Sequence, residues 1–309
     1  MSYVFGPVPS RRLGLSLGVD LIPAKTCTFD CLYCQVGRTT DKTVTRRPFV
    51  PADQVIEEVR QKLKVCTPDA ITLAGSGEPT LHSEIERIIE GIQEFSDTRV
   101  VVLTNGSLFS EEPVRRAVLK ADLIMPTLTS AHEATFNRIH RPHEAIRHQA
   151  VVEGLLALRR EYAGQIFLET VFLAGINDTP QEVEDLKELI AGLQPERIQL
   201  NTVVRPPADP HAKSLDRERL EEIKLYLGTS AQIVADIPLR DVEKRTDSLA
   251  RNFLEMVRRR PLRQQDAANS LGLSVEDVED LVKGLLIKGF VRQQEHSGEI
   301  FYLSNEGTY

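Results

Sequence analysis

Several absences narrow what this chain can be. No stretch approaches 18 consecutive apolar residues, so no membrane-spanning helix is expected. The first residues, Met1-Ser-Tyr-Val-Phe-Gly-Pro-Val-Pro-Ser-Arg-Arg12, hold no long apolar region, so no signal peptide is expected and a cytoplasmic, reducing setting is. Cysteine is scarce: there are four, three of them crowded together, which does not make a disulfide framework. Positive charge is not in excess, since the formal net charge is −7, and this gives no general affinity for nucleic acid. What is left is a globular balance of apolar and charged residues, long enough for one large domain plus a small one.

The crowded cysteines are Cys27-Thr-Phe-Asp-Cys31-Leu-Tyr-Cys34, spaced Cys-x3-Cys-x2-Cys. Three thiolates within eight residues can close on one iron–sulfur cluster, because such clusters are held by cysteine sulfur. A four-iron cubane on three cysteines leaves one iron without a protein ligand, the arrangement a reactive cluster needs. Zinc is the competing use, but it usually takes four ligands; the only other cysteine is Cys66, and the nearest histidine downstream is His82. Around the loop stand Arg11, Arg12, Lys25, Arg38, Lys42, Arg46 and Arg47, either a rim for a phosphate or carboxylate or a solvated basic face.

Further along, apolar runs and helical periodicities alternate. Strands are expected at 16–22, 69–74, 99–103, 122–128, 165–173 and 197–204, and helices near 52–65, 83–95, 111–119, 146–161 and 180–192. Six β-α units with apolar strands predict an α/β fold: a parallel sheet with helices outside, curved into a partial (β/α)6 TIM-like barrel. Working residues of such barrels sit at the C-terminal ends of the strands. There the sequence places the cysteine loop, then Ser76, Gly77 and Glu78, Thr104 and Asn105, Thr127 and Thr129, with Glu169 and Asn201 inside the fifth and sixth strands. A helix near 216–227 and a strand at 232–235 lead to a linker near Lys244–Asp247. These bounds predict two domains, 1–245 and 246–309.

The second domain reads as helix 248–258, a turn at Gly272, helix 274–287 and a hairpin through 289–294 and 298–303, the pattern of a C-terminal winged helix. Its basic residues are outnumbered by acidic ones, and the would-be recognition helix carries Glu276, Asp277, Glu279 and Asp280 against Lys283. Phosphate contacts dominate DNA affinity, so this helix is not expected in a major groove. The Arg258-Arg-Arg260 run leaves RNA contact open, beside peptide binding at the hairpin edge or packing on the barrel.

The cysteine loop with Tyr33 before its last cysteine, together with Gly75-Ser-Gly-Glu-Pro79, resembles the radical S-adenosylmethionine (radical SAM) superfamily over roughly residues 1–240. Ser76 replaces a glycine of that family's Gly-Gly-Glu-Pro motif. The resemblance implies a [4Fe–4S] cluster on Cys27, Cys31 and Cys34, S-adenosylmethionine chelated at the open iron, and a one-electron donor such as flavodoxin or ferredoxin. It implies that the Ser76-Gly77-Glu78 edge binds the methionine ammonium. Asn105 and Glu169 would hold the ribose or the amino-acid end, Thr127 would stand where relatives carry serine, and Tyr33 and Asn201 would lie near adenine.

Within the superfamily, Gly6-Pro-Val-Pro-Ser-Arg-Arg-Leu-Gly14, Gly77-Glu-Pro-Thr-Leu81 and Arg141-Pro142 resemble the group related to tRNA wyosine-base synthases. Two departures stand against wyosine chemistry itself: the lone Cys66 cannot hold the second cluster those enzymes use, and Thr129 stands where relatives often carry Asp. The expected activity is hydrogen abstraction by a 5′-deoxyadenosyl radical. Its target is RNA or a peptide delivered by the winged helix, or else a small anionic metabolite gripped by Arg11, Arg12 or Arg47. A redox-sensing regulator is the third possibility, disfavoured because a sensor needs no S-adenosylmethionine cradle.

Overall fold

The computed structural model describes residues 2–234 and 249–305. The expected linker at Lys244–Asp247, the 245/246 domain boundary and Ala235 of the expected strand lie outside them. In chain order the first part consists of β1 (Val4–Ser10), β2 (Gly14–Asp20), β3 (Thr26–Cys27), β4 (Asp41–Lys42), α1 (Ala52–Leu63), β5 (Ala70–Ala74), α2 (Ile85–Gln93) and β6 (Val100–Thr104). It continues with α3 (Glu112–Arg116), β7 (Leu123–Pro126), α4 (Glu133–His140), α5 (His148–Glu161), β8 (Gln165–Phe172), α6 (Pro180–Leu193), β9 (Arg197–Thr202), α7 (Arg217–Leu227) and β10 (Ala231–Ile233).

Local chemistry explains the elements. The isoleucines of α2 fall on one face, and Ile85, Ile88, Ile89 and Ile92 are all fully buried against the sheet. Helix α6 begins where the Thr179 side chain accepts from Glu182 N and Pro180 opens the first turn. The apolar residues of β6 and β7 are buried on both faces, as a covered parallel sheet requires.

The sheet order is β1-β2-β5-β6-β7-β8-β9-β10, parallel throughout except β1, which is antiparallel to β2. Strand order follows chain order with no reversal, unlike a doubly wound sheet. The fold is therefore α/β with a mostly parallel central sheet, consistent with a partial barrel. All six expected strands are present, and β10 adds a seventh parallel one. Several elements were not foreseen, β1 and α4 among them. Strand β1 contains Gly6-Pro-Val-Pro9, which reads as a strand breaker; it survives as an edge strand whose pairing is irregular between Phe5 and Val8. The short helix α4 ends at His140, where Arg141 takes a left-handed conformation. Among the described residues no helix is long and apolar enough to cross a membrane.

The C-terminal module comprises α8 (Leu249–Arg259), β11 (Leu262–Arg263), α9 (Gln264–Leu271), α10 (Val275–Ile287), β12 (Val291–His296) and β13 (Glu299–Ser304), with its strands in the order β11-β13-β12. Ser274 and Asp277 form a reciprocal capping box on α10, so part of that helix's acidity serves its own N-terminus. The module's core, built on Phe253, Met256, Leu262, Val278 and Tyr302, also takes in Val8 of β1. Alongside, the Phe5 ring lies over Gly18, where a Cβ would stand 2.1 Å from the ring, and the Arg259 guanidinium sits 4.3 Å from the same ring's centre. Glycine at 18 thus seats the aromatic that receives Arg259. Gly18→Val should push Phe5 out and destabilise the protein by about 1–3 kcal/mol, seen as a lower denaturant midpoint; an unchanged midpoint would rule out this packing.

Candidate active site

The cysteine loop leaves the end of β2 and is pinned at many points. β3 and β4 pair at its base, and backbone bonds run from Lys25 N to Ser76 O (2.8 Å), Asp30 N to His140 O (2.9 Å) and Leu32 N to Ile139 O (2.9 Å). Asp30 accepts from Thr39 N and pairs with Arg38 at 3.0 Å. The three sulfurs and Tyr33 line one cleft of about 840 Å³. Burial pushes all three thiols up, Cys27 to about 12 with the Glu78 charge adding to it. Such thiols stay protonated at neutral pH, and a metal must displace their protons.

Two of the sulfurs have nitrogen partners. Cys31 Sγ lies 3.2 Å from His140 Nδ1, and Cys27 Sγ lies 3.7 Å from Asn105 Nδ2. His140 Nε2 is 2.7 Å from the Thr129 hydroxyl. Burial, with the nearby His148 charge, holds the His140 pKa down to about 3, so the ring is neutral and carries one N–H. A Thr129 hydroxyl donating to Nε2 leaves Nδ1–H for the sulfur, the tautomer a thiolate favours. His140 was missed in the sequence; its only signal there was its place directly before Arg141-Pro142.

The strand ends divide into braces and cleft-lining groups. The Glu78 carboxylate is buried and accepts from Thr80 N (3.0 Å), Thr80 Oγ1 (2.6 Å), Thr104 Oγ1 (2.6 Å) and Asn105 N (2.7 Å). Burial pushes its pKa up, opposed by these bonds. Ser76 is placed differently from the expectation that it faces the ligand: its hydroxyl donates to Asp20 Oδ2 at 2.7 Å and its N–H to Asp20 Oδ1 at 3.1 Å. It is absent from the cleft lining, whereas Gly75, Gly77 and Glu78 are present. Gly77 is required by space, since a Cβ would stand 1.8 Å from Thr26 O. Asn105, expected at the ribose or the amino-acid end, lines the cleft, and its amide donates to Thr28 Oγ1 at 2.7 Å. Glu169 gathers the rest: Arg12 Nη1 at 2.6 Å, Asn201 Nδ2 at 3.1 Å and Thr127 Oγ1 at 3.4 Å. Thr127, Glu169 and Asn201, dispersed in sequence, form one hydrogen-bonded patch on the cleft wall.

The expected basic rim is mostly structural. Arg46 donates to Thr80 O and His82 O, Lys42 to Arg141 O and Pro142 O, and Arg47 stacks on Phe49. Arg11 and Arg12 alone of the seven line the cleft. They are joined there by Arg205, Arg259, Arg260 and Arg263, which the sequence did not connect with the site. The Arg258-Arg-Arg260 run, for which RNA contact, peptide binding and packing on the barrel are all open from the sequence, turns two of its members inward: Arg259 bonds Ser2 O at 2.9 Å and approaches Asp20 at 3.8 Å, and Arg260 lines the cleft.

Three cysteine sulfurs facing one cleft, two of them with N–H partners, suit an iron–sulfur cluster. Cys66 stands elsewhere, bonded to Lys62 O at 3.1 Å and packed on the main core.

Known proteins resemble the chain over much of its length. The Radical SAM superfamily model matches residues 21–190. A UPF0026 protein of Methanocaldococcus jannaschii is 32% identical over 99% of this chain and 97% of its own length. A protein of Brachyspira hyodysenteriae named GTPase Obg is 34% identical over 98% of this chain, which spans 45% of that protein. Among solved structures, a radical SAM methyltransferase from Sphaerobacter thermophilus shares the fold at TM-score 0.55 and 18% identity, over 71% of this chain and 65% of its own. Matched through the cysteine loop and the parallel sheet alike, the chain belongs to the radical SAM superfamily and is an enzyme whose cofactors are a [4Fe–4S] cluster and S-adenosylmethionine.

Proposed function

We propose that Cys27, Cys31 and Cys34 hold the cluster and that S-adenosylmethionine lies along Tyr33, Gly77, Thr127, Glu169 and Asn201. In this reading Ser76 acts from behind, fixing the turn, while Glu78 and Asn105 line the cleft and brace the cysteine loop. When bound and reduced by one electron from a flavodoxin- or ferredoxin-like donor, the cofactors supply a 5′-deoxyadenosyl radical that takes a hydrogen atom from the substrate. The protein's own work is to bind, orient and exclude water. Asn105 and His140 donate N–H bonds to two ligand sulfurs, Glu169 holds the polar patch together through Arg12 and Asn201, and the C-terminal module walls the far side.

One observation carries this reading: the three sulfurs, the polar strand ends and residues of α8 and α9 line a single cleft of about 840 Å³. That volume suits small ligands, and S-adenosylmethionine takes a share of it, so the favoured substrate is a small molecule. The C-terminal module is read as a winged helix used as a wall. An RNA substrate is the second reading, resting on the resemblance of residues 6–14 and 77–81 to the wyosine-synthase group; it would have to offer one splayed nucleotide to this cleft.

Two outcomes test the reading. Anaerobically reconstituted, reduced protein should form 5′-deoxyadenosine from S-adenosylmethionine, and Cys31→Ala should abolish it; a wild-type protein that forms none overturns the proposal. His140→Leu removes an N–H···S bond that stabilises the more negative reduced cluster. It should lower the reduction potential by roughly 40 mV, the one-electron equivalent of a ~1 kcal/mol hydrogen bond. An EPR-monitored titration reads this, and an unmoved or raised potential would remove His140 from that role.

A further inference from the structure

The cleft's far wall has more positive charge than its own carboxylates can match. Arg12 pairs with Glu169 (2.6 Å), Arg205 with Asp266 (3.3 Å), Arg263 with Asp266 and Glu299 (both 3.1 Å), and Arg259 faces Asp20 at 3.8 Å. Arg11 and Arg260 have no carboxylate partner among the described residues. Arg11 donates to Val234 O at 3.2 Å, and Arg260 reaches the cleft with no side-chain bond. Arg205 adds a buried Nε with no acceptor.

The electrostatics agree with the geometry. Burial and the charge of Arg205 hold Arg260 at about 9, with Arg11 and Arg12 adding to the crowding and Asp266 opposing it. Burial and the charges of Arg205 and Arg12 hold Arg11 at about 10. Asp266 is pushed up by burial, but bonds and charges from Arg263, Arg205 and Arg260 outweigh this and leave it low, so its negative charge is already in use. Buried charges are normally paired. Two guanidiniums that face a cleft with no carboxylate partner of their own among the described residues suit an anion.

We infer that Arg11, Arg205 and Arg260 form a binding site for the phosphoryl group of a small phosphate-ester substrate. This rests on the proposed use of the cleft as the substrate site. Two unmatched positive charges balance a phosphate dianion, whereas a carboxylate brings one. Planar guanidiniums meet phosphate oxygens through paired N–H bonds. A single phosphoryl group also fits a cleft of about 840 Å³ better than a nucleic-acid backbone does. The site would anchor the substrate on the module side and leave its carbon skeleton toward the cysteines.

The test is thermal unfolding of the full chain with inorganic phosphate or pyrophosphate, against chloride at equal ionic strength, together with 5′-deoxyadenosine release from the same preparation. Phosphate should raise the midpoint saturably, by linkage. Arg260→Gln and Arg11→Gln should each weaken phosphate at least about tenfold, as loss of a charge-assisted bond requires, while Arg47→Gln should bind as the wild type does. Arg260→Gln also relieves like-charge crowding, so without phosphate its midpoint should not fall; loss of phosphate binding with an intact midpoint separates a lost site from a lost fold. The inference is overturned if phosphate stabilises no more than chloride, or if Arg47→Gln weakens it as much as Arg260→Gln does. It is also overturned if S-adenosylmethionine competes with phosphate for the arginines, or if only a short RNA binds in an Arg260-dependent way. Release of 5′-deoxyadenosine without phosphate binding would sink this inference alone, and binding without release would sink the functional reading instead.

Discussion

The buried carboxylate of Glu78 is the tie on which the site's geometry hangs. A carboxylate in this position costs free energy unless its lone pairs are used, and four donors use them. Those donors belong to the short 3-10 turn at Pro79–Leu81 and to the end of β6, so satisfying one charge locks two strand ends together. From there the constraint passes outward. Asn105, held by its backbone N–H on Glu78, presents its amide to Thr28 and the Cys27 sulfur. The carboxylate reaches the cysteine loop without touching it.

The C-terminal module acts on the site as a wall, and its chemistry differs on its two sides. Outward it shows acidic residues, some of which cap α10. Inward it shows Arg259, Arg260 and Arg263, which crowd against Arg11, Arg12 and Arg205 of the barrel and are partly neutralised by Asp266. A net count over the module, negative overall, conceals this division, because three arginines face the cleft while the acidic residues of α10 do not line it.

Much of the architecture was legible because period and composition carry it. Buried parallel strands are apolar on both faces, helices repeat at 3.6, and the strand ends show as polar interruptions such as Thr104-Asn105. The cysteine spacing gave the donor set for the same reason: it is local. Side-chain direction was not legible. Ser76 follows Gly75 in the motif, yet the φ of +128° at Gly75 brings its hydroxyl to Asp20, fifty-six residues away in sequence. Arg46 and Arg12 look alike in the sequence, but one is spent on backbone carbonyls and the other on Glu169. His140 joins Cys31 only through the packing of α4, an element whose short length gives no periodic signal. Strand β1 was hidden by its prolines.

That strand belongs to two cores at once. Val4 is packed in the main barrel cluster and Val8 in the cluster of the C-terminal module, together with Phe253 and Tyr302. During synthesis Val8 leaves the ribosome long before the residues that bury it. The barrel can assemble while one end of its first strand still waits with an apolar face uncovered. Long-range contacts of this kind form late and leave sticky surface open meanwhile. The segment that protects the cleft is thus also the segment that covers β1, and the cleft has no far wall until translation has passed the hairpin of β12 and β13.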